Sequence, residues 1–169
     1  MRKIKSVLVL FFLALIYQPA IAETVKPALS YTSMEAQIAQ VEIRPGISFD
    51  EAIESLKLRA NQHNLKFVGV NQLYKEIQAL TGKPTKRIEI FNFCDGITAQ
   101  KMIAANPLMI SFMPCRIAIL EDAQGKRWII AMMINSDMFR SMPDDTQKDA
   151  KRVMEAMKDI MLAASIGDL

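Results

Sequence analysis

From residue 41 onward, apolar and polar positions alternate in short blocks whose period switches between two and three-to-four residues. VEIR (41–44) reads as a strand closed by Pro45-Gly46. Ser48-Phe-Asp-Glu51 is a capping box, in which a serine hydroxyl and a glutamate each satisfy an orphan amide at a helix start. Phe49, Ala52, Ile53, Leu56 and Ala60 follow at helical spacing and make one apolar face. LKFVGV (65–70) predicts the next strand, and Leu73 to Leu80 a short helix stopped at Thr81-Gly82.

The second half is patterned more sharply. In KRIEIFNFC, strand alternation puts Ile88, Ile90, Asn92 and Cys94 on one face and Arg87, Glu89, Phe91 and Phe93 on the other. Asp95-Gly96 opens a helix with a narrow stripe of Ala99, Met102 and Ile103, which ends before Asn106-Pro107. CRIAILED and KRWIIAMMIN are two strands joined by the turn residues Asp122-Ala123-Gln124-Gly125. Both are apolar on both faces, which predicts central positions in a sheet. Ala150, Val153, Met154, Met157, Ile160, Met161 and Ala164 form a long amphipathic helix, with Asp144 and Asp145 at its positive dipole end. The sum is an α+β fold, helices packed on a mainly antiparallel sheet.

The N-terminus is organised differently. Arg2, Lys3 and Lys5 precede an uninterrupted apolar run, Val7 to Tyr17. That run is about 11 residues, against the roughly 20 that cross a bilayer. Pro19 and the small-x-small Ala20-Ile21-Ala22 complete the pattern of a secretory signal cleaved after Ala22. The expected organisation is a signal peptide over 1–22, a polar, loosely ordered lead-in over 23–40 and a single domain over 41–169. Location in the periplasm, with no stable membrane anchor after cleavage, follows as an expectation. Charge changes with it: three of the 21 basic residues lie in the signal with no acid, leaving 18 basic against 18 acidic residues. A neutral chain lacks the phosphate-neutralising surplus on which nucleic-acid binding depends.

Candidate chemistry rests on sulfur. The only cysteines are Cys94 and Cys115, and all but Met1 of the 12 methionines lie beyond the signal. Cys94 follows Ile88 and Ile90, and Cys115 precedes Ile117 and Ile119, so both thiols are expected to point inward. Three roles are open to them: a structural disulfide, two separate buried thiols, or a redox or soft-metal function. Export and an even cysteine count favour the Cys94–Cys115 bridge. Thiolate and thioether donors suit copper-type metals, which makes Met113, Met138 and Met142 further metal candidates. Met102, Met154, Met157 and Met161 fall on apolar helix stripes and are expected to pack. The lone histidine, His63, lies in the polar turn QHN and is expected in solvent. No G-x-S-x-G elbow, H-E-x-x-H or glycine-rich phosphate loop is present, so no catalytic residue is assigned. Trp128 is expected in the core, beside solvent-exposed Lys126 and Arg127.

The run from Phe91 to Ile130 contains FCDG, A-x-K-M, MPCRIAILED and G-K-x-W. It resembles the domain-of-unknown-function family 302, over about residues 48–134. The resemblance implies a two-layer fold related to the TATA-binding-protein-like group, often dimeric, with no agreed catalytic activity or cofactor. Relatives often carry proline two residues after the first cysteine, where this chain has Gly96. The expected role is an exported, self-associating binding or accessory module, with a periplasmic protein or a small molecule as partner. The alternative is a thiol-redox or soft-metal protein using Cys94, Cys115 and nearby methionines.

Overall fold

The computed structural model describes residues 36–169, so the signal segment, its cleavage point and most of the lead-in lie outside the described residues. Among these described residues, five strands and four helices follow one another as β1 (Ala36–Glu42), α1 (Phe49–Gln62), β2 (Lys66–Asn71), α2 (Leu73–Thr81), β3 (Ile88–Cys94), α3 (Gly96–Ala105), β4 (Cys115–Glu121), β5 (Arg127–Ile134) and α4 (Asp144–Ile166). Two 3₁₀ turns, Pro107–Phe112 and Ser136–Phe139, flank the β4–β5 hairpin. The strands form one sheet in the order β1-β5-β4-β3-β2, with every neighbouring pair antiparallel. β4 and β5 therefore occupy interior positions, as their doubly apolar sequences predict.

Local chemistry explains most boundaries. The capping box forms: the Glu51 amide donates to Ser48 Oγ at 3.1 Å, and the Ser48 amide to Glu51 Oε2 at 2.7 Å. Gly125 closes the hairpin at φ 83°, a left-handed conformation that favours glycine. Asp122 Oδ1 accepts from the Gln124 and Lys126 amides there, both at 2.9 Å. One boundary moves. The first strand begins at Ala36 and takes in residues 36–40, which their polar composition assigns to the lead-in. An edge strand needs only backbone pairing and one covered face, and Ala36 to Glu42 pair with Ile134 to Trp128.

Helices α1 and α4 pack together and cover one face of the sheet. The core between them joins Leu56 and Ala60, Met157 and Ile160, and the inward strand residues Phe91, Phe93, Ile117, Ile119 and Ile129. The sheet register shows how the faces divide. Phe91 lies opposite Ile117, which lies opposite Ala131, all on the covered face; Ile90, Ala118 and Ile130 align the same way on the other. On β3 the covered face is thus the one carrying Glu89, Phe91 and Phe93, not the one that Cys94 shares with Ile88 and Ile90. Glu89 is 3% exposed and is held by Arg87, whose Nε donates to it at 2.6 Å while Nη1 reaches Asp50 at 2.7 Å. That pairing lets a carboxylate occupy a core position.

Trp128 also departs from expectation. It lies opposite Leu120 and Glu42 on the open face, half-buried, and its indole N–H donates to Asp122 Oδ2 at 2.8 Å. The core position belongs to its neighbour Ile129, which is fully buried. Arg127 is likewise half-buried rather than free in solvent.

At the far end, the C-terminal residues return to α1. Gly167 caps α4 in the left-handed conformation. Buried Ser55 donates its hydroxyl to the Asp168 carbonyl at 2.6 Å, and Arg59 Nη2 donates to Asp168 Oδ2 at 2.6 Å.

Candidate functional site

Where β3 ends and β4 begins, the antiparallel register brings the two cysteines to neighbouring positions, since Cys115 lies opposite Phe93. Sheet pairing fixes which way they start. Cys115 takes the covered face and packs against the main core, whereas Cys94, one residue beyond Phe93, belongs to the alternate face. Both are free thiols, each half-buried. The expected bridge is therefore not present, and the expectation that both thiols point into the core holds for Cys115 alone. The physical reason is the one-residue offset: the residue opposite Cys115 is Phe93, not Cys94.

The thiols nonetheless share a wall. A cavity of about 30 Å³ is lined by Cys94, Cys115, Met102, Met113 and Met154, with Phe93, Phe112, Ile134 and Val153 closing much of the rest. It lies where the main core meets a second buried cluster built on Met102, Met109, Phe139, Met142 and Ala150. Each wall has a clear origin. Met102 comes from α3, Met154 from α4, and Met113 from the segment after the 3₁₀ turn, where a cis Met113–Pro114 peptide leads into β4.

Asp95 holds this corner together. Its Oδ1 accepts from the Ile97 and Thr98 amides at 3.1 Å each, capping α3, and its Oδ2 accepts from Thr98 Oγ1 at 2.9 Å. Arg152 of α4 donates to the same carboxylate and to Thr98 Oγ1 at 3.1 Å. Gly96 opens the helix because Asp95 supplies the cap. Lys101 adds a second tie to α4, reaching Asp149 at 2.7 Å and Asp145 at 3.0 Å.

Electrostatics here disfavour ionised sulfur. Burial pushes the Cys115 thiol up to about 11, and the neighbouring Cys94 adds to the shift. Burial also raises Cys94, helped by the Asp95 carboxylate. Burial pushes Asp95 itself upward, but Arg152 and Thr98 outweigh it and hold the carboxyl below its ordinary range.

Of the metal candidates, Met113 lies in the cavity wall with the two cysteines. Met142 is buried in the second cluster and Met138 packs against its edge, and neither lines the cavity. Met102 and Met154 do line it. Their helical stripes mark them as packing residues, and only the meeting of α3 with α4 over the strand ends turns them toward the thiols. Asp95, Thr98 and Arg152 were equally hidden: the α3 start is readable at Asp95-Gly96, but its partner lies 57 residues away.

His63 is not simply solvated. Its Nε2 sits 2.7 Å from Asp159 Oδ2, and Arg59 Nη1 reaches the same oxygen at 3.3 Å. This trio ties α1 to α4 and lies outside the cavity wall.

Comparison with known proteins points one way. Residues 39–164 match the family described as domain of unknown function DUF302. The fold is similar to that in a crystal structure of an uncharacterized conserved protein DUF302 from Bacillus stearothermophilus, with a TM-score of 0.60 at 16% identity, over 75% of this chain and 97% of that one. No curated protein matches.

Proposed function

We propose a binding role rather than a catalytic one for this chain, which belongs to the DUF302 family. It acts as a self-associating module, exported after loss of residues 1–22, and a second copy covers the open face of its sheet. The observation that carries this reading is the composition of that face. Ile88, Ile90, Ala118, Leu120, Trp128, Ile130 and Met132 lie on it across three adjacent strands, and none of them is buried. Arg116 is the only charged residue among the outward positions of β3–β5, and it makes no ion pair among the described residues. An apolar surface this continuous usually marks an interaction site, and a two-fold pair would bury the same residues from both copies.

A thiol-redox role draws less support. The reactive form of cysteine is the thiolate, and both thiols are shifted away from it. Export is favoured by the basic start, apolar run and small-residue motif before Glu23.

Sedimentation equilibrium of the purified protein tests the reading. A dimer at micromolar concentration is expected, with Ile130→Lys giving a folded monomer. A wild-type monomer with nothing bound to the sheet would overturn it.

A further inference from the structure

The cavity at the β3–β4 end is unusual in its donors. Two thiols and three thioethers line it, with Asp95 and Thr98 as its oxygen-bearing side chains and hydrocarbon or aromatic groups elsewhere. That carboxylate is already taken up by the Thr98 and Arg152 hydrogen bonds. Its volume of about 30 Å³ sets the scale of any guest. That is room for something the size of a water molecule, and roughly a tenth of what a drug-sized organic ligand needs. The guest is therefore a single atom or ion. Thiolate and thioether sulfur select soft cations. A structural zinc site takes four nitrogen, sulfur or oxygen ligands, and among the described residues no group of three or more His, Cys, Asp or Glu is placed to hold a metal ion.

We propose that this cavity is a Cu(I) site, with Cys94 and Cys115 as ligands and thioether donors from Met102, Met113 and Met154. The placement of Cys94 supplies the access route. It lines the cavity and also an outward groove formed with Asn64, Lys66, Asp95, Gly96 and Ile97. Cys115 lies behind it, against the core. The ion meets Cys94 first and is passed inward to Cys115 and the methionines. No electron moves in this step. Each ligating cysteine exchanges its Sγ–H proton for the metal, and the proton leaves to solvent. Because each ligating thiol gives up its proton on binding, uptake strengthens as the pH rises. Cys94 lies at the end of the open face, but none of the seven apolar residues proposed to meet a second copy lines the cavity, so loss of Cu(I) transfer and loss of self-association are read separately.

The test is competition for Cu(I) under anaerobic, reducing conditions, with the purified protein titrated against a Cu(I)–bicinchoninate complex. One Cu(I) per chain is expected to transfer to the protein. Cys94→Ser and Cys115→Ser should each abolish the transfer. The triple variant Met102→Leu, Met113→Leu, Met154→Leu keeps the hydrocarbon and should weaken it at least tenfold. Met157→Leu, which lies in the main core away from the cavity, should leave it unchanged. If the serine variants do not fold, X-ray absorption at the copper edge on the loaded wild-type protein decides the matter. A sulfur-only shell supports the site, and nitrogen or oxygen ligands overturn it. Failure of the folded wild-type protein to withdraw Cu(I) would also overturn it.

Discussion

The two faces of the sheet are nearly equal in hydrophobicity and unequal in everything else. Inward, Phe91, Phe93, Ile117, Ile119 and Ile129 are at most 1% exposed beneath α1 and α4. Outward, Ile90, Ala118, Ile130 and Met132 occupy the alternate positions of the same strands and are only half-buried. The inward face even contains a carboxylate, Glu89, while the β3 outward face is led by two isoleucines. Side-chain polarity did not choose the buried face; the helices did. α1 and α4 carry the wide apolar stripes, and the register carries whichever parity meets them into the core.

Substitutions at adjacent residues sharpen this contrast most. Phe91→Ala should cost about 3–5 kcal/mol of unfolding free energy in denaturant titration. Ile90→Ala, one residue away on the open face, should cost about 1 kcal/mol when measured dilute enough to keep the chain monomeric. Equal costs would mean that both faces are covered within one chain.

The buried carboxylate gives a second, smaller effect. Arg87→Ala leaves Glu89 in the core without its partner and should destabilise by about 2–3 kcal/mol. Adding Glu89→Gln should restore much of that loss. A double-mutant cycle reads the coupling, and additivity of the two changes would show that the pair does not act as one.

Smaller again is the cap at the cavity corner. Asp95→Ala removes the acceptor of the Ile97 and Thr98 amides and should cost about 1 kcal/mol, whereas Asp95→Asn should cost only a few tenths. An equal loss for both would assign the stabilisation to the Arg152 ion pair rather than to the cap.

The smallest expected effect is acid sensitivity between the helices. The hydrogen bond from His63, with Arg59 beside it, holds the Asp159 carboxyl below its ordinary range. Its contribution is present above the unfolded-state pKa of about 3.9 and is lost as the pH falls through the lower folded value. Thermal melts from pH 6 to pH 2 should therefore decline less steeply for Asp159→Asn than for the wild type.

Much of this fold is legible in the sequence because its signals are local. The Ser48 box, the Asp122–Gly125 turn and the stripe from Ala150 to Ala164 each involve residues close in the chain, and each appears where its pattern predicts. The misjudged positions depend on distant partners. Which parity of β3 and β5 is buried depends on α1 and α4, so Cys94 and Trp128, both expected in the core, lie on the open face. The start of β1 depends on β5, so composition alone assigns residues 36–40 to the lead-in. The candidate site shares this limit. Cys94, Cys115 and Met113 stand out by residue type, but Met102 and Met154 join them only through the crossing of α3 and α4.

The pairing of the first strand with the fifth also has a kinetic consequence. Ala36 is matched to Ile134, so a chain that emerges N-terminus first must keep β1 unpaired until almost all of the sheet has appeared. The β3–β4 and β4–β5 contacts close over shorter separations and can form first. Registry of β1 then becomes the late, topology-limited event of folding, and a chain stalled before β5 would present a lone apolar-edged strand to whatever quality-control machinery it meets.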